Sequence, residues 1–258
     1  MQVTPRKSLG QHFLKDRNIA RRIVGSLTLK GYDCILEIGP GMGVLSNLLL
    51  GVPGMDVRFV EIDPASVSYL NANYPEMKDR IVHADILKTR MVDIFPGTFA
   101  IIGNFPYNIS SQLFFRIMEY RHQVTEVVCM VQKEVAGRIA SPPGSKEYGI
   151  LSVLLQAYYR IEYLFNVPPQ VFNPPPKVQS AVIRLTRNER GELPCNYARF
   201  IKVVKTAFNQ RRKVLQNSLR SLISPDDLHD VIFRKRPEQL NVDDFVRLTL
   251  LSLESRED

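Results

Sequence analysis

The fold of this chain is decided by residues 35–45, ILEIGPGMGVL, in which an apolar run leads into three closely spaced glycines. The apolar run predicts a buried strand, and the residues after the glycines predict a helix, so the glycines form the turn between them. Glycine lets the main chain turn tightly and approach a ligand. The glycines fall at positions 39, 41 and 43, whereas a nicotinamide or flavin fingerprint requires G-x-G-x-x-G. Glu37 and Pro40 also depart from that fingerprint.

Short apolar runs alternate with helical patterns from about Asn18 to Thr186. This alternation predicts βαβ units, and therefore a parallel sheet with helices on both faces. The predicted strands are Cys34–Ile38, Val57–Glu61, Arg80–His83, Phe99–Gly103, Thr125–Val131, Ile161–Val167 and Gln179–Leu185. The last two are joined by a proline-rich stretch, residues 168–176, without a helix, so we expect an antiparallel pair at that end of the sheet.

The pattern changes after residue 187. Residues 188–194 are polar and rich in turn-forming residues, which is typical of a linker. Only helical patterns follow: Tyr197–Phe208, Lys213–Leu222, Pro225–Phe233 and Val242–Leu253. We therefore predict an α/β domain over residues 1–187 and a small all-helical domain over residues 188–258.

The composition is that of an ordinary globular protein of 258 residues, with 45% hydrophobic residues and a formal charge of +8. The positive charge favours a polyanionic partner, although a merely solvated basic surface is the alternative. Cys34, Cys129 and Cys195 show no pairing pattern, which indicates a reducing compartment without disulfides. The polar N-terminus and the lack of a long apolar run predict a cytoplasmic protein. The four histidines lack partners at metal-ligand spacing, so we predict no metal.

The pattern E-x-G-x-G-x-G resembles the S-adenosylmethionine site of Rossmann-like methyltransferases. Acids end the next two predicted strands, Glu61 on the second and Asp85 on the third. At these positions Glu61 can accept hydrogen bonds from a ribose diol and Asp85 from the adenine amine. A lone acid after a strand is more often a helix cap, but the order of all three strand ends favours a nucleoside ligand. The predicted cofactor contacts in this part of the chain are Gly39, Gly41, Glu61, Ile62, Asp85 and Ile86.

The fourth predicted strand ends on GNFPYNISS, residues 103–111. In the common doubly wound order this strand lies beside the first one, so its end faces the glycine turn. Asn104-x-Pro106-Tyr107 resembles the N/D-P-P-Y motif of enzymes that methylate exocyclic amines of bases. The resemblance implies that the Asn104 amide oxygen accepts the amine hydrogens, that Pro106 fixes the turn and that Tyr107 stacks on the base. The alternative is an asparagine-initiated turn with a core tyrosine.

Further segments resemble the rRNA adenine dimethyltransferases over nearly the whole chain. They are residues 7–16 (KSLGQHFLKD), 132–138 (QKEVAGR) and 171–180 (VFNPPPKVQS). In that family the first segment folds over the methionine end of the cofactor, which implies contacts from Gln11, His12 and Leu14 in addition to Asn104. The family often has asparagine at the position of His12. The third segment implies that Phe172 covers the base opposite Tyr107, because a base must leave its stack to be methylated.

The predicted helical domain carries basic residues and no acid between Glu192 and Asp226. A run of one sign suits contacts with phosphates, although a solvated helix face is the alternative. The segment FNQRRK, residues 208–213, resembles the F-x-x-R-R-K segment with which the family contacts rRNA. We therefore predict that Arg211, Arg212 and Lys213 bind RNA.

The resemblance implies an S-adenosyl-L-methionine-dependent enzyme that dimethylates two adjacent adenines in a loop near the 3′ end of small-subunit rRNA. Its partner would be small-subunit rRNA within a pre-ribosomal particle, and the enzyme would act as a monomer. Two alternatives stay open. One is a large-subunit rRNA methyltransferase that confers antibiotic resistance, and the other is a non-catalytic relative that binds nucleic acid during ribosome assembly.

Overall fold

The structure, a computed structural model, describes residues 3–253 and is built on a seven-stranded sheet and a separate two-stranded one. The strands are β1 (Phe13–Leu14), β2 (Cys34–Ile38), β3 (Asp56–Glu61), β4 (Ile81–His83), β5 (Phe99–Asn104), β6 (Val124–Gln132), β7 (Tyr159–Val167), β8 (Phe172–Asn173) and β9 (Ser180–Arg187). The α-helices are α1 (Arg17–Val24), α2 (Ser46–Leu49), α3 (Pro64–Asn73), α4 (Met91–Ile94), α5 (Ser110–Glu119), α6 (Lys133–Ala140), α7 (Ile150–Gln156), α8 (Tyr197–Asn209), α9 (Leu215–Ser218) and α10 (Val242–Leu251).

The large sheet has the strand order β4-β3-β2-β5-β6-β9-β7, and all seven predicted strands are present in it. β2 pairs in parallel with both β3 and β5, so the strand order reverses between β2 and β5 as expected. β9 runs antiparallel to β6 and lies next to β7. The reversal opens a crevice at the carboxyl ends of β2 and β5, which is where parallel sheets bind ligands.

The central strands are buried on both faces, since consecutive strand residues point to opposite sides of the sheet and nearly all of them are buried. In β5, the side chains of Phe99, Ala100, Ile101 and Ile102 are all fully buried. Strands of this kind are near-continuous apolar runs rather than alternating ones, which is why the sequence pattern identified them. Full burial of each large apolar side chain stabilises the fold by about 1.5–3 kcal/mol.

The two-stranded sheet of β1 and β8 was not predicted from the sequence. Phe13 pairs with Asn173 and Leu14 with Phe172 in antiparallel register. This pairing ties the segment before α1 to the proline-rich connection between β7 and β9. Asp16 then begins α1, since its carboxylate accepts hydrogen bonds from the main-chain nitrogens of Asn18 and Ile19.

The chain divides into two compact units. The first comprises the described residues up to Ala136 together with Ile161–Arg187, and the second comprises Gly137–Arg160 together with the described residues from Asn188 onward. The sequence had assigned residues 137–160 to the first domain, because the predicted linker begins only at residue 188. In the structure α7 packs on α8 and α10 instead. The outermost residues of both predicted domains, 1, 2 and 254–258, lie outside the described part of the chain.

The second unit has an aromatic core formed by Tyr148, Phe208 and Phe245. The ring centroids of Tyr148 and Phe208 lie 6.2 Å apart, and those of Phe208 and Phe245 lie 5.9 Å apart. These contacts join the loop before α7 to α8 and α10, which explains why residues 137–160 belong with the C-terminal helices. Over residues 3–253, no helix combines the length and apolar character needed to cross a membrane.

Two predicted helices of the second unit are wrong in extent. The helix predicted over Lys213–Leu222 is restricted to α9, and the one predicted over Pro225–Phe233 is replaced by two short 3-10 helices, Asp227–His229 and Val231–Arg234. The interruption is local in origin. Asp230 has an extended backbone, and its side chain accepts a hydrogen bond from the Ile232 nitrogen, so a new N-cap replaces a helical turn.

Candidate active site

A cleft in the first unit gathers most of the predicted site at the carboxyl ends of β2, β3, β4 and β5. Nine of the ten predicted cofactor contacts line it: Gln11, His12, Gly39, Gly41, Glu61, Ile62, Asp85, Ile86 and Asn104. Pro106 and Tyr107 line it as well. The tenth residue, Leu14, is buried in the hydrophobic core under α1 and does not reach the cleft.

The glycine turn after β2 has a backbone that only glycine adopts easily. Gly39 has φ of 69° and Gly41 φ of 57°, both in the left-handed region. A Cβ atom on Gly41 would lie 2.9 Å from the Phe13 ring, whereas one on Gly39 would meet no heavy atom within 4 Å. Gly41 therefore lets the N-terminal segment pack on the turn, and Gly39 leaves open space for a ligand.

Glu61 is buried at the end of β3 with part of its hydrogen-bonding capacity unused. One carboxylate oxygen accepts from the Gly41 nitrogen at 3.0 Å, and the other accepts from the Asp63 nitrogen at 2.9 Å. Burial raises the pKa of Glu61, and these two hydrogen bonds oppose the shift. A carboxylate has about four acceptor sites, so Glu61 can still accept hydrogen bonds from a pair of hydroxyl groups.

Asp85, at the end of β4, acts partly as a turn-forming residue. One of its oxygens accepts a hydrogen bond from the Leu87 nitrogen at 3.0 Å, and the other lies 3.9 Å from the Lys88 ammonium. Its neighbour Ile86 is buried, while Ile62 exposes 45% of its surface beside the cleft. A large exposed isoleucine at a cleft wall provides an apolar face for a planar ligand group.

The Asn104 amide has its orientation fixed by the main chain of the N-terminal segment. Its nitrogen donates a hydrogen bond to the His12 carbonyl oxygen at 2.8 Å. A carbonyl oxygen only accepts, so the amide nitrogen must face His12 and the amide oxygen must point the other way. No hydrogen bond within residues 3–253 uses that oxygen. The site thus holds a free acceptor in a fixed position at the tip of β5.

Tyr107 is held by two neighbours. Its hydroxyl forms a hydrogen bond with the hydroxyl of Ser180, a buried residue at the start of β9. Its ring centroid lies 5.3 Å from that of His12, with the ring planes tilted by 31°. The His12 Nδ1 atom in turn lies 2.8 Å from the Pro174 carbonyl oxygen, so it donates there. Burial raises the pKa of Tyr107, with the Ser180 hydrogen bond opposing, so the phenol stays neutral.

Phe172 is not brought into the cleft. Its side chain is fully buried and packs in the same core as Leu14, with which it is paired between β8 and β1. Among the described residues that line the cleft, it is His12 rather than Phe172 that lies against Tyr107. The role of Phe172 as the second face of a base site stays a prediction.

The predicted RNA-binding residues lie in the second unit, at the end of α8. Arg211 is partly buried, and its guanidinium donates to the carbonyl oxygens of Ser145 and Lys146 and lies 3.9 Å from Glu238. Arg212 and Lys213 are exposed. The three basic residues therefore have different surroundings, which their identical charge concealed in the sequence.

Sequence reasoning missed three residues that support the cleft. Ser180 belongs to a segment that was noted, but its bond to Tyr107 requires β9 to lie next to β6. Asn108 lies close to Gly10: a Cβ atom added to Gly10 would be 2.5 Å from the side-chain oxygen of Asn108. Asp63 is fully buried beneath the N-terminal segment. The only sequence signal for it was its position two residues after Glu61.

Comparison with known proteins identifies the family. The model of the family described as ribosomal RNA adenine dimethylase matches residues 3–254. The chain belongs to this family. The ribosomal RNA small subunit methyltransferase A of Porphyromonas gingivalis is 56% identical over 97% of this chain and 98% of that protein. The protein of the same name from Flavobacterium johnsoniae is 56% identical over 96% of this chain and 95% of that protein.

Solved structures agree with the family. A dimethyladenosine transferase from Plasmodium falciparum superimposes with a TM-score of 0.78 at 25% identity, over 93% of this chain and 99% of that one. The 23S rRNA methyltransferase ErmE superimposes with a TM-score of 0.67 at 25% identity, over 91% of this chain and 98% of that one. The predicted Rossmann-like fold, methyltransferase activity and S-adenosylmethionine cofactor are therefore confirmed. Residues 3–253 contain no cluster of three His, Cys, Asp or Glu side chains arranged to hold a metal ion.

Glu37, in β2 just before the glycine turn, is a buried acid with an unusual protonation equilibrium. Its side chain is almost fully buried, and one of its oxygens has no hydrogen-bond partner. Burial raises the pKa of Glu37 to about 8; the Ser46 hydroxyl opposes this shift and the charge of Glu61 adds to it. Glu37 is therefore mostly protonated at neutral pH and adds little negative charge beside Glu61.

We predict that Glu37 makes the fold less stable as pH rises. A carboxyl whose pKa is raised by folding binds more protons in the folded state, so its stabilising contribution is complete below about pH 4.5 and lost as pH approaches 8. The unfolding free energy of the wild type, minus that of Glu37→Gln, should fall over this window by at most ~1.4 kcal/mol per pH unit. Urea unfolding of both proteins at a series of pH values measures this difference. A difference that stays constant or rises contradicts the assignment.

Proposed function

We propose that this protein methylates the exocyclic amines of two adjacent adenines in a loop near the 3′ end of small-subunit rRNA. The proposal includes a pre-ribosomal particle as the substrate, a monomeric enzyme and a cytoplasmic location. The observation that carries it is the fixed Asn104 amide, whose nitrogen is held by His12 and whose oxygen is free for an amine. The names of relatives that are 56% identical support the choice of the small ribosomal subunit.

The cofactor fits the cleft that the glycine turn leaves open. Gly39 provides space, Glu61 provides unused acceptor sites for the ribose hydroxyls, and Asp85 provides an oxygen for the adenine amine. Ile62 and Ile86 add apolar walls. The methionine end is assigned to the side of the cleft lined by Gln11 and His12. S-adenosylmethionine supplies an electrophilic methyl group there.

Asn104 prepares the amine for attack. Its amide oxygen accepts one amine hydrogen, and a main-chain carbonyl nearby accepts the other, so that the nitrogen lone pair is directed at the methyl carbon. A nitrogen–carbon bond forms as the carbon–sulfur bond breaks, and the surplus proton of the amine passes to water. Alignment of this kind is worth about 7–11 kcal/mol when the reacting atoms are held in line, so no strong base is needed.

The base is held by aromatic contact. We assign the Tyr107 ring to one face of the flipped adenine, since its hydroxyl is anchored on Ser180 and the ring lines the cleft. Pro106 fixes the turn that carries the ring. We keep Phe172 as the candidate for the opposite face, which requires a movement of the segment that β8 belongs to, because Phe172 is now in the core.

We assign the first unit to methyl transfer and the second to RNA binding. Arg212 and Lys213 are exposed at the end of α8, where they can contact phosphates, and Arg211 holds this segment to the loop before α7. Such contacts supply affinity and register but do not read sequence.

The decisive experiment uses labelled S-adenosylmethionine and ribosomal particles from a strain that lacks the modification. We expect label in small-subunit rRNA and, after digestion, N6,N6-dimethyladenosine at two adjacent positions. Label confined to large-subunit rRNA would assign the protein to the resistance methyltransferases. A protein that binds the particles but transfers no methyl group would be a non-catalytic relative.

We predict that Asn104→Ala lowers kcat by about 100-fold or more, because it removes a preorganised group that acts on the reacting nitrogen. Cofactor affinity, measured by calorimetry, should change much less. Asn104→Asp is the matched control, since it keeps an acceptor oxygen while losing the donor to His12, and it should retain intermediate activity. Turnover equal to that of the wild type in Asn104→Ala would exclude the amide from the chemistry.

We predict that the three basic residues at the end of α8 separate into two classes. Arg212→Ala and Lys213→Ala should each weaken rRNA binding and reduce the slope of log K against log salt by about 0.7–0.9, the value for one phosphate contact. Arg211→Ala should instead lower the unfolding free energy, because its guanidinium is bonded to Ser145 and Lys146. Equal salt slopes in Arg212→Ala and the wild type would remove Arg212 from the interface.

A further inference from the structure

Asp63 is a buried carboxylate that joins the N-terminal segment to the end of β3. Its side chain is completely buried. It accepts hydrogen bonds from two residues in the first turn of α3, the Ala65 nitrogen at 3.3 Å and the Ser66 hydroxyl at 3.1 Å. From the N-terminal segment it accepts from Gln11 Nε2 at 3.1 Å and pairs with Arg6, whose Nε lies 3.4 Å away.

The N-terminal strap, defined here as residues 6–13, runs from this carboxylate to the reactive amide. Gln11 uses both ends of its own amide within the protein, because its oxygen accepts from the Arg6 nitrogen at 2.7 Å and its nitrogen donates to Asp63. The next residue, His12, presents the carbonyl oxygen that holds the Asn104 amide. Asp63 therefore connects to Asn104 through two consecutive residues of the strap.

We propose that Asp63 is a positioning residue for methyl transfer, which holds the strap through Gln11 and Arg6 so that the His12 carbonyl fixes the Asn104 amide. The proposal rests on the function proposed above. It also assigns Gln11 a different task from the direct cofactor contact that the sequence predicted, since its amide is already engaged by Arg6 and Asp63.

A simple helix cap would not need these contacts. As the N-cap of α3, Asp63 requires only the bond from the Ala65 nitrogen, and the Ser66 hydroxyl adds a second bond from the same helix. Burial by itself would raise the pKa of Asp63, but hydrogen bonds from Gln11, Ala65 and Ser66 and the charge of Arg6 outweigh it and lower the pKa. The carboxylate is therefore held ionised by donors from both sides, and half of them belong to the strap.

The variant Asp63→Asn separates the role of Asp63 as the N-cap of α3 from its role in holding the strap. Asparagine is as good an N-cap as aspartate, so the α3 cap should be retained, whereas the contacts with Gln11 and Arg6 are lost. The new amide nitrogen would face the Gln11 amide nitrogen, and two donors repel, so the strap is released. We expect kcat to fall by about 10- to 100-fold, as for small misplacements of a reacting group, with a smaller rise in KM for the cofactor. Amide hydrogens of residues 9–13 should exchange faster.

The double variant Asp63→Asn/Gln11→Glu restores the bond with donor and acceptor exchanged, and it should recover most of the lost kcat and slow exchange of the strap. Gln11→Glu alone places two carboxylates together and should resemble Asp63→Asn. Ser66→Ala is the matched control, because it removes a bond to the same carboxylate outside the strap, and its kcat should equal that of the wild type.

The proposal is overturned if Asp63→Asn has the kcat of the wild type. It is also overturned if the kcat of the double variant is no higher than two independent single effects would give when multiplied together. Hydrogen exchange is measured without RNA. If the wild type methylates no rRNA, the proposed function fails. Separately, if the strap amides of Asp63→Asn exchange no faster than those of the wild type, the role of Asp63 is refuted.

Discussion

The site depends on one hydrogen bond, from the Asn104 amide nitrogen to the His12 carbonyl oxygen. An asparagine amide has two ends of similar size, and without a fixed partner either end could face the cleft. The carbonyl oxygen removes this freedom because it accepts and never donates. The acceptor that the proposed reaction needs is thereby held in place before any substrate arrives, as in a preorganised site.

That bond is possible only because the topology brings distant segments together. Parallel pairing of β2 with both β3 and β5 places the glycine turn and Asn104 at one crevice. Pairing of β1 with β8 then fixes the segment that carries His12. Gly41 completes the arrangement, since any side chain there would collide with Phe13. The glycine turn thus serves the strap as well as the ligand.

Sequence patterns predicted what depends on local periodicity and on motifs. The central strands were found because they are continuous apolar runs. Asn104, Glu61 and Asp85 follow those runs, and so they could be placed together at one cleft. β1 and β8 were missed, since two-residue strands carry no periodic signal. The helix predicted over Pro225–Phe233 was wrong because Asp230 starts a new cap inside it. Phe172 is buried because it packs among core residues that are distant in the sequence, and no local pattern shows such contacts.

Two carboxylates at the same strand end, Glu61 and Asp63, show how the site divides its acids. Both are buried, yet burial raises the pKa of Glu61, whereas donors from two sides overcome burial and lower that of Asp63. The difference lies partly in the neighbouring charges, because the charge of Asp63 raises the pKa of Glu61, whereas the charge of Arg6 lowers that of Asp63. Asp63 is saturated by the protein and stabilises structure, while Glu61 keeps unused acceptor sites in a place where water is largely excluded. Unused capacity of a buried acid is unfavourable until a ligand donates to it. The acid that the protein leaves incompletely bonded is therefore the one to which we assign recognition of the cofactor.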